Sequence, residues 1–438
     1  MVTLIKKLFS AATAHEGFRR YFANTSWMLG EQVLRIIAGL FVGIWVARYL
    51  GPEQFGVFSY AIAFVAIFSS VAKLGLDSIV VRHLVNRPEF RDGYLGTVFW
   101  LKLVGAVIAL TVITLATGFT NNEYKTNLYI FIIASGVIFQ PFEVVDFYFQ
   151  SKVLSKFVSI CKITQLLFSS LLKVYFVLTG ADLLCFVVVS LVDQVTLAIA
   201  LYLAYRYQKV GGFYRNFDWD IAKLLLKDSW PLIISGVVLM IQARVDQLMI
   251  KETIGNTELG YYSSAMRLVE VFGFVPMIIT TSLFPAIVNA KKISHTLYED
   301  RIFNLYRLMT LLFLIIAIPI SIFGNQIIIF LYKDAFAPAG SLLSLMVLRL
   351  FFTNFGVVRG AYLMTENLMT YSLITITIGT LVNVLLNYYW IPSFHSVGAI
   401  WASLVSFLIT TFLIDSYYSS TRRNFFVMIR SLLLIDFR

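Results

Sequence analysis

Long apolar runs recur along this 438-residue chain and constrain its fold more than any motif does. A bilayer core about 30 Å thick is crossed by about 20 helical residues rising 1.5 Å each. Segments of that length stand near 25–47, 56–78, 96–118, 126–148, 157–179, 183–205, 230–252, 260–288, 302–323, 341–363, 369–391 and 396–417. The run at 260–288 holds Pro276 and Pro285, which predicts a kink. Runs such as Leu311–Ile318 are apolar on every face. The strands of a membrane barrel would alternate over about ten residues instead. Charged residues make up only 13% of the chain, against roughly 25% in an ordinary soluble domain. Hydrophobic residues reach 59%, which excludes both a soluble globule and disorder and leaves lipid as the solvent. The expected fold is all-α and polytopic, with about 12 transmembrane helices.

Two cysteines, Cys161 and Cys185, are too few for a disulfide framework or a zinc site. The four histidines lack ligand spacing, so no metal is expected. The first apolar run begins late, after Lys6, Lys7, Arg19 and Arg20, and is long enough to span, unlike a cleavable signal peptide. Residues 1–22 suit a short amphipathic helix on the inner leaflet.

The formal charge is +11. With the N-terminus inside, cytoplasmic segments hold twenty-two basic residues, including Arg82, Arg87, Arg91, Lys291, Lys292, Arg422 and Arg423. Outer segments hold four, namely Arg48, Lys125, Lys251 and Lys333. This bias predicts an even number of spans with both termini cytoplasmic. It assigns most of the net charge to topology rather than to nucleic acid.

The first outward turn reads Leu50-Gly-Pro-Glu-Gln-Phe-Gly-Val-Phe-Ser-Tyr-Ala61, and the seventh span is followed by Ile254-Gly-Asn-Thr-Glu-Leu-Gly-Tyr-Tyr-Ser-Ser-Ala265. At an offset of 204, Gly51 matches Gly255, Gly56 matches Gly260, Ser59 matches Ser263 and Ala61 matches Ala265. Six spans per copy make the repeat parallel, and transporters with such halves bind substrate between them. The predicted organisation is a six-helix lobe over 1–206, a cytoplasmic linker over 207–229 and a second six-helix lobe over 230–438. The linker carries Gly211-Gly212, a candidate cap at Asp218 and an amphipathic stretch from Trp219, which reads as a flexible joint and a short surface helix.

Nine basic residues remain in or near the spans. Lys73, Lys102, Arg307 and Arg359 lie within one or two turns of a cytoplasmic end and are expected to snorkel. Arg35, Arg244 and Arg349 are deeper, where an uncompensated charge costs about 3 kcal/mol or more. Lys173 and Arg267 are intermediate. Glu31 and Arg35 are four residues apart and Arg267 and Glu270 three apart, so each pair shares a helix face. Ion pairs knitting the helices together are one reading of these groups. A cationic lumen for an anionic substrate is the other, and arginine suits phosphate because its planar fork stays protonated.

No Gly-Lys dipeptide, dinucleotide fingerprint or His-Glu-x-x-His pair occurs, which argues against nucleotide hydrolysis. The short outer loops offer little room for a polymerase or glycosyltransferase site.

The run Ala47-Arg-Tyr-Leu-Gly-Pro-Glu-Gln-Phe-Gly-Val-Phe-Ser-Tyr-Ala-Ile-Ala-Phe-Val65 resembles the first-turn pattern of bacterial polysaccharide-biosynthesis membrane proteins. Lys73-Leu-Gly-Leu-Asp-Ser-Ile-Val-Val-Arg82 continues the resemblance, as do Asp246, Gly255, Gly260, Tyr261-Tyr262 and Ala265-Met-Arg267-Leu. Over nearly its full length the chain is similar to the Wzx-type O-antigen flippases, in the superfamily that includes the MATE exporters and the lipid II flippase MurJ. The resemblance implies two six-helix lobes with a MATE-like fold. It implies a non-enzymatic flippase of the bacterial inner membrane that moves undecaprenyl-pyrophosphate-linked oligosaccharide units for O-antigen or other surface polysaccharide by alternating access. The extra helix pair of MurJ-like proteins is not expected.

On this reading Arg35, Arg244 and Arg349 contact the pyrophosphate or acidic sugars, with Lys173 and Arg267 as second-tier candidates. The energy source is an ion gradient, substrate consumption outside, or both. Asp246, Asp193 and Glu270 are the candidates for carrying a coupled H+ or Na+, and no cofactor is expected. The expected partners are the lipid-linked substrate, the bilayer, and a polymerase and chain-length regulator of the same pathway. The rival readings are a cation-coupled MATE-type exporter, a membrane polymerase or ligase, and a scaffold.

Overall fold

The computed structural model describes residues 16–208 and 212–432, with side chains from residue 23 onward. Residues 1–15 of the amphipathic helix expected over 1–22 therefore lie outside the described residues, while the backbone of 16–22 runs as helix into the first pass. Helices account for the fold, and no strand occurs among the described residues.

The helices are α1 (Glu16–Lys73), α2 (Asp77–Asn86), α3 (Arg91–Thr117), α4 (Tyr124–Ser135), α5 (Val144–Ser151), α6 (Ser155–Leu178), α7 (Leu183–Tyr207) and α8 (Trp219–Thr253). They continue with α9 (Asn256–Phe272), α10 (Phe274–Ile293), α11 (His295–Tyr332), α12 (Ala339–Met346), α13 (Arg349–Thr365), α14 (Met369–Leu408), α15 (Ile414–Tyr417) and α16 (Ser419–Leu432).

Ten helical segments are long and apolar enough to cross a membrane. Two of them are too long for one crossing. Ala23–Asn86 has 64 residues, roughly 96 Å at 1.5 Å each, and Met369–Tyr417 has 49. Gly51 (φ 71°, ψ 172°) breaks the first near its middle, ahead of a later break at Leu74–Gly75 (φ 53° and 59°) close to its end, and His395 (φ 54°, ψ −140°) breaks the second, so the crossings divide at Gly51 and His395. Dividing them there gives the twelve passes expected from the sequence. Large apolar side chains on the outer faces are exposed, among them Phe41, Leu171, Ile315 and Phe330, as a lipid-facing surface requires.

The repeat extends to backbone conformation. Gly255 (φ 123°, ψ −178°) matches Gly51 in adopting positive φ with extended ψ, a region open essentially only to glycine. The glycines that follow them make a reciprocal contact. A Cβ on Gly56 would stand 1.8 Å from the Asn256 carbonyl oxygen, and one on Gly260 would stand 2.0 Å from that of Pro52. Pro52 and Asn256 are themselves related by the offset of 204. Glycine at these matched positions thus serves close backbone packing as well as the turn.

A second matched turn escaped the sequence comparison. After the fourth pass, Leu154 N–H bonds the Phe149 carbonyl at 2.8 Å across Val153, which has φ 56°. After the tenth, Leu368 N–H bonds the Leu363 carbonyl at 2.8 Å across Asn367, which has φ 57°. Both are Schellman closures. The fourth pass also changes helical type in its middle, through the 3-10 stretch Gly136–Glu143 that holds Pro141.

The chain forms two compact units, residues 1–46 with 64–237, and residues 47–63 with 238–438. In the first, Phe213 is buried against Phe99, Phe142 and Tyr205. Trp100 Nε1 donates to the Tyr214 carbonyl at 3.0 Å, and Asp218 N–H to Thr97 Oγ1 at 3.0 Å. Residues 213–218 are therefore packed down and not a loose joint. Asp218 caps α8 as expected, accepting from the N–H groups of Asp220 (2.8 Å) and Ile221 (3.1 Å). The stretch from Trp219 is not a separate surface helix. It runs unbroken into the seventh pass as the start of α8. In the second unit, a core around Tyr306, Phe355 and Phe412 joins α11, α13 and the last pass.

Candidate functional site

The second unit gathers most of the deep charges that the sequence singles out. Arg244 and Asp246, two residues apart on α8, face different neighbours. Asp246 is buried and has four polar partners. Its Oδ2 accepts from Ser403 Oγ at 2.6 Å and Tyr262 Oη at 2.8 Å, and its Oδ1 from Asn387 Nδ2 at 2.7 Å. Arg349 Nη1 donates to the Tyr262 hydroxyl at 3.0 Å and stands 3.7 Å from Asp246 Oδ2. Tyr262 thus bridges carboxylate and guanidinium. Asn387 also donates to Asn383 Oδ1 at 3.3 Å, while its own Oδ1 is buried with no hydrogen bond among the described residues.

Arg244 pairs with Glu270 at 3.1 Å. The expected pairing of Glu270 with its helix neighbour Arg267 gives way to this one, because α8 brings a guanidinium to the carboxylate from across the packing interface. Two recesses meet here and share Met266 and Glu270 as a common wall. One, of about 150 Å³, is lined by Arg244, Arg267, Gln247, Phe55 and Phe58. The other, of about 290 Å³, is lined by Arg349, Gln242, Thr353 and Phe407. Arg267 has no ion-pair partner among the described residues. Phe407 lies under the Arg349 guanidinium, 5.6 Å from ring centre to Cζ. The arrangement puts three guanidinium groups against one lining carboxylate, with aromatic faces beside them. It suits a group that is both anionic and able to stack on rings.

The other candidates lie in the first unit. Arg35 Nε donates to Glu31 Oε1 at 2.7 Å, the expected i, i+4 pair. Lys173 Nζ meets Asp193 Oδ2 at 3.3 Å, and Gln165 donates to Asp193 Oδ1 at 2.7 Å. Asp193 is therefore engaged by a lysine and an amide.

Two residues expected to snorkel do not. Lys102 is 1% exposed, 3.1 Å from Asp77 and 3.4 Å from Glu143, with its ammonium 4.6 Å from the Phe147 ring centre. Arg359 makes a bidentate pair with Asp415 (2.8 and 2.7 Å), supported by Thr375 and Tyr371. Each is held inward because its carboxylates lie on other helices, a placement that distance from the span end does not reveal. Asp415 was missed in the sequence. Its signal was a lone acid in the last apolar run, 56 residues from its partner.

A bundle of twelve passes with paired charges at membrane depth defines a multi-pass membrane protein, and its architecture is MATE-like. It superposes on a multidrug resistance MATE family transporter of the MOP superfamily in an inward-facing conformation, with a TM-score of 0.69 and 16% identity over 90% of this chain and 96% of that one. The lipid II flippase MurJ in an inward closed conformation gives 0.69 and 16% over 94% and 93%. The chain belongs to the polysaccharide biosynthesis protein family, whose model matches residues 21–291. It is 23% identical over 390 residues to the "Probable low-salt glycan biosynthesis flippase Agl15" of Haloferax volcanii, spanning 87% of this chain and 80% of that one.

Proposed function

We propose that this protein is a flippase for lipid-linked oligosaccharides. The convergence of Arg244, Arg267 and Arg349 on two adjoining recesses at membrane depth carries the reading. The family, the glycan flippase relative and the MurJ-like fold support it. Its substrate is an undecaprenyl-pyrophosphate-linked repeat unit for O-antigen or a related surface polysaccharide. The arginines hold the pyrophosphate while the phenyl rings face the sugars, and the polyprenyl tail stays in lipid. This spares a hydrated diphosphate the cost of crossing hydrocarbon. Arg35 and Lys173, in the first lobe, are each paired with a carboxylate and rank behind these arginines.

Movement proceeds by alternating access of two lobes in the bacterial inner membrane, with both termini cytoplasmic. The protein is a transporter and not an enzyme. Its pathway partners are the polymerase and chain-length regulator that use the translocated unit.

A coupled H+ or Na+ acts at Asp246. The carboxylate, the Ser403 hydroxyl and the amide oxygens of Asn383 and Asn387 form a hard-oxygen set that suits Na+. The orphaned Asn387 carbonyl supports this, since rotation of that amide turns its oxygen toward the carboxylate, where a cation would hold both. Asp193 and Glu270 each already face a cationic side chain, so they rank behind Asp246. A MATE-type drug exporter for organic cations would want a net acidic lining, whereas here Glu270 faces two arginines in the first recess.

The test follows the lipid-linked sugar in cells lacking the protein. The flippase reading predicts its accumulation on the inner leaflet and loss of surface polysaccharide. Single repeat units still capped onto lipid A would show a polymerase instead and overturn the reading.

A further inference from the structure

A polar pocket of about 270 Å³ lies at the opposite end of the second unit's helices from the Gly255 turn, away from both recesses. The start of α11, the end of α13 and the start of α16 form it. All three termini follow even-numbered passes, so the pocket sits at the membrane boundary on one face. The helix α16 that closes it is amphipathic. Its Thr421, Asn424 and Met428 are buried, while Phe426 and Ile429 are exposed between Arg422 and Arg430.

The pocket is chemically two-ended. At the inner end Tyr298 and Tyr362 stack with ring centres 6.3 Å apart, beside the partly buried carboxylates Glu299 and Glu366. Tyr298 is 2% exposed. Its hydroxyl lies against Glu366 but makes no hydrogen bond of normal geometry among the described residues. At the outer rim stand Arg423, whose side chain is 61% exposed, His295, and the N-terminal turn of α16 with Ser419 and Ser420. Arg423 Nη2 donates to Glu299 Oε2 at 2.7 Å, and Lys291 meets Glu366 at 2.8 Å.

We infer that this pocket binds a phosphoethanolamine group, ammonium inward and phosphate at the rim. Tyrosine faces and two carboxylates attract an ammonium and repel a purely anionic group. The three N–H donors of a primary ammonium reach the idle Tyr298 hydroxyl, Glu366 beside Lys291, and Glu299, where the ammonium takes the place of Arg423 as that side chain turns to the phosphate. A quaternary ammonium has no such donors. Arg423 and the N–H groups of Ser419 and Ser420 take the phosphate, those of Thr421 and Arg422 being bonded to the Tyr418 carbonyl. The boundary position and the apolar outer face of α16 make a lipid headgroup the fitting source, and free phosphoethanolamine shares the chemistry.

Native mass spectrometry of the full-length protein tests this. The protein is released from vesicles of equimolar phosphatidylethanolamine, phosphatidylcholine and phosphatidylglycerol. We expect one ethanolamine lipid to be retained preferentially, and Tyr298→Phe to weaken its retention about tenfold. Removing one hydroxyl leaves packing intact, so unchanged melting in lipid-free detergent keeps the result free of folding effects. Equal retention of the three lipids, or no change in Tyr298→Phe, would overturn the inference. Free phosphoethanolamine displacing the lipid would assign the site to the headgroup alone, and no displacement would assign it to the intact lipid. No glycan is present in this assay, so its outcome is independent of the flippase reading.

Discussion

Two arginine–aspartate pairs in the second unit are built from the same groups and are similarly buried, yet differ in geometry and in what lies beside them. Arg359 and Asp415 meet fork to fork at 2.7 and 2.8 Å, with side chains 7% and 0% exposed. Arg349 and Asp246 stand 3.7 Å apart with a tyrosine hydroxyl bridging them, and the arginine lines a recess. A buried bidentate pair of this kind is a clamp between the tenth and twelfth passes. A loosely coupled pair beside open volume leaves its arginine free to exchange one anion for another. Depth in the membrane does not distinguish them. Saturation of partners and access to space do.

The largest effect expected from breaking this comparison is at the clamp. Arg359→Ala leaves Asp415 buried and unpaired, and should destabilise the fold by about 3–5 kcal/mol. Melting in detergent and membrane abundance would read the loss. Replacing both partners by leucine should recover most of it, because the pair's desolvation cost then disappears.

Gly260→Ala should cost the next most, about 2–3 kcal/mol, since its Cβ meets the Pro52 carbonyl and overpacking forces the backbone apart. Thermal melting would show it. Arg349→Gln should change stability by about 1 kcal/mol or less, because Asp246 keeps Ser403, Tyr262 and Asn387 as donors. Transport should nonetheless fall about tenfold or more at equal abundance. A fold as damaged by this change as by Arg359→Ala would erase the distinction.

The smallest effect runs the other way. Lys333 ends α11 at φ 69°, ψ 178°, the conformation that Gly51 and Gly255 adopt with glycine. Lys333→Gly should stabilise by about 1 kcal/mol in melting, through relief of backbone strain.

The passes were legible because each is a contiguous apolar run, and the first repeat because Gly51, Gly56, Gly255 and Gly260 each serve a backbone constraint that glycine meets without strain. Pairings within one helix turn were legible too, as Glu31 with Arg35 shows. Pairings between helices were not. Glu270 turns to Arg244 rather than to Arg267, and Lys102 and Arg359 find carboxylates on other helices instead of reaching water. Side-chain direction at a helix interface depends on packing, which spacing along one strand of sequence does not encode. The Val153 and Asn367 turns escaped for a related reason. A Schellman closure asks only for one residue at positive φ, and neither position carries the usual glycine.

The central claim is that the arginines of the recesses recognise an anionic lipid-linked glycan. The most direct measurement reconstitutes the protein in liposomes with a fluorescent pyrophosphate-linked oligosaccharide lipid and follows its movement between leaflets. Arg244→Gln with Arg267→Gln, at wild-type melting temperature, should slow that movement at least tenfold. Movement at the wild-type rate in this double variant would contradict the account.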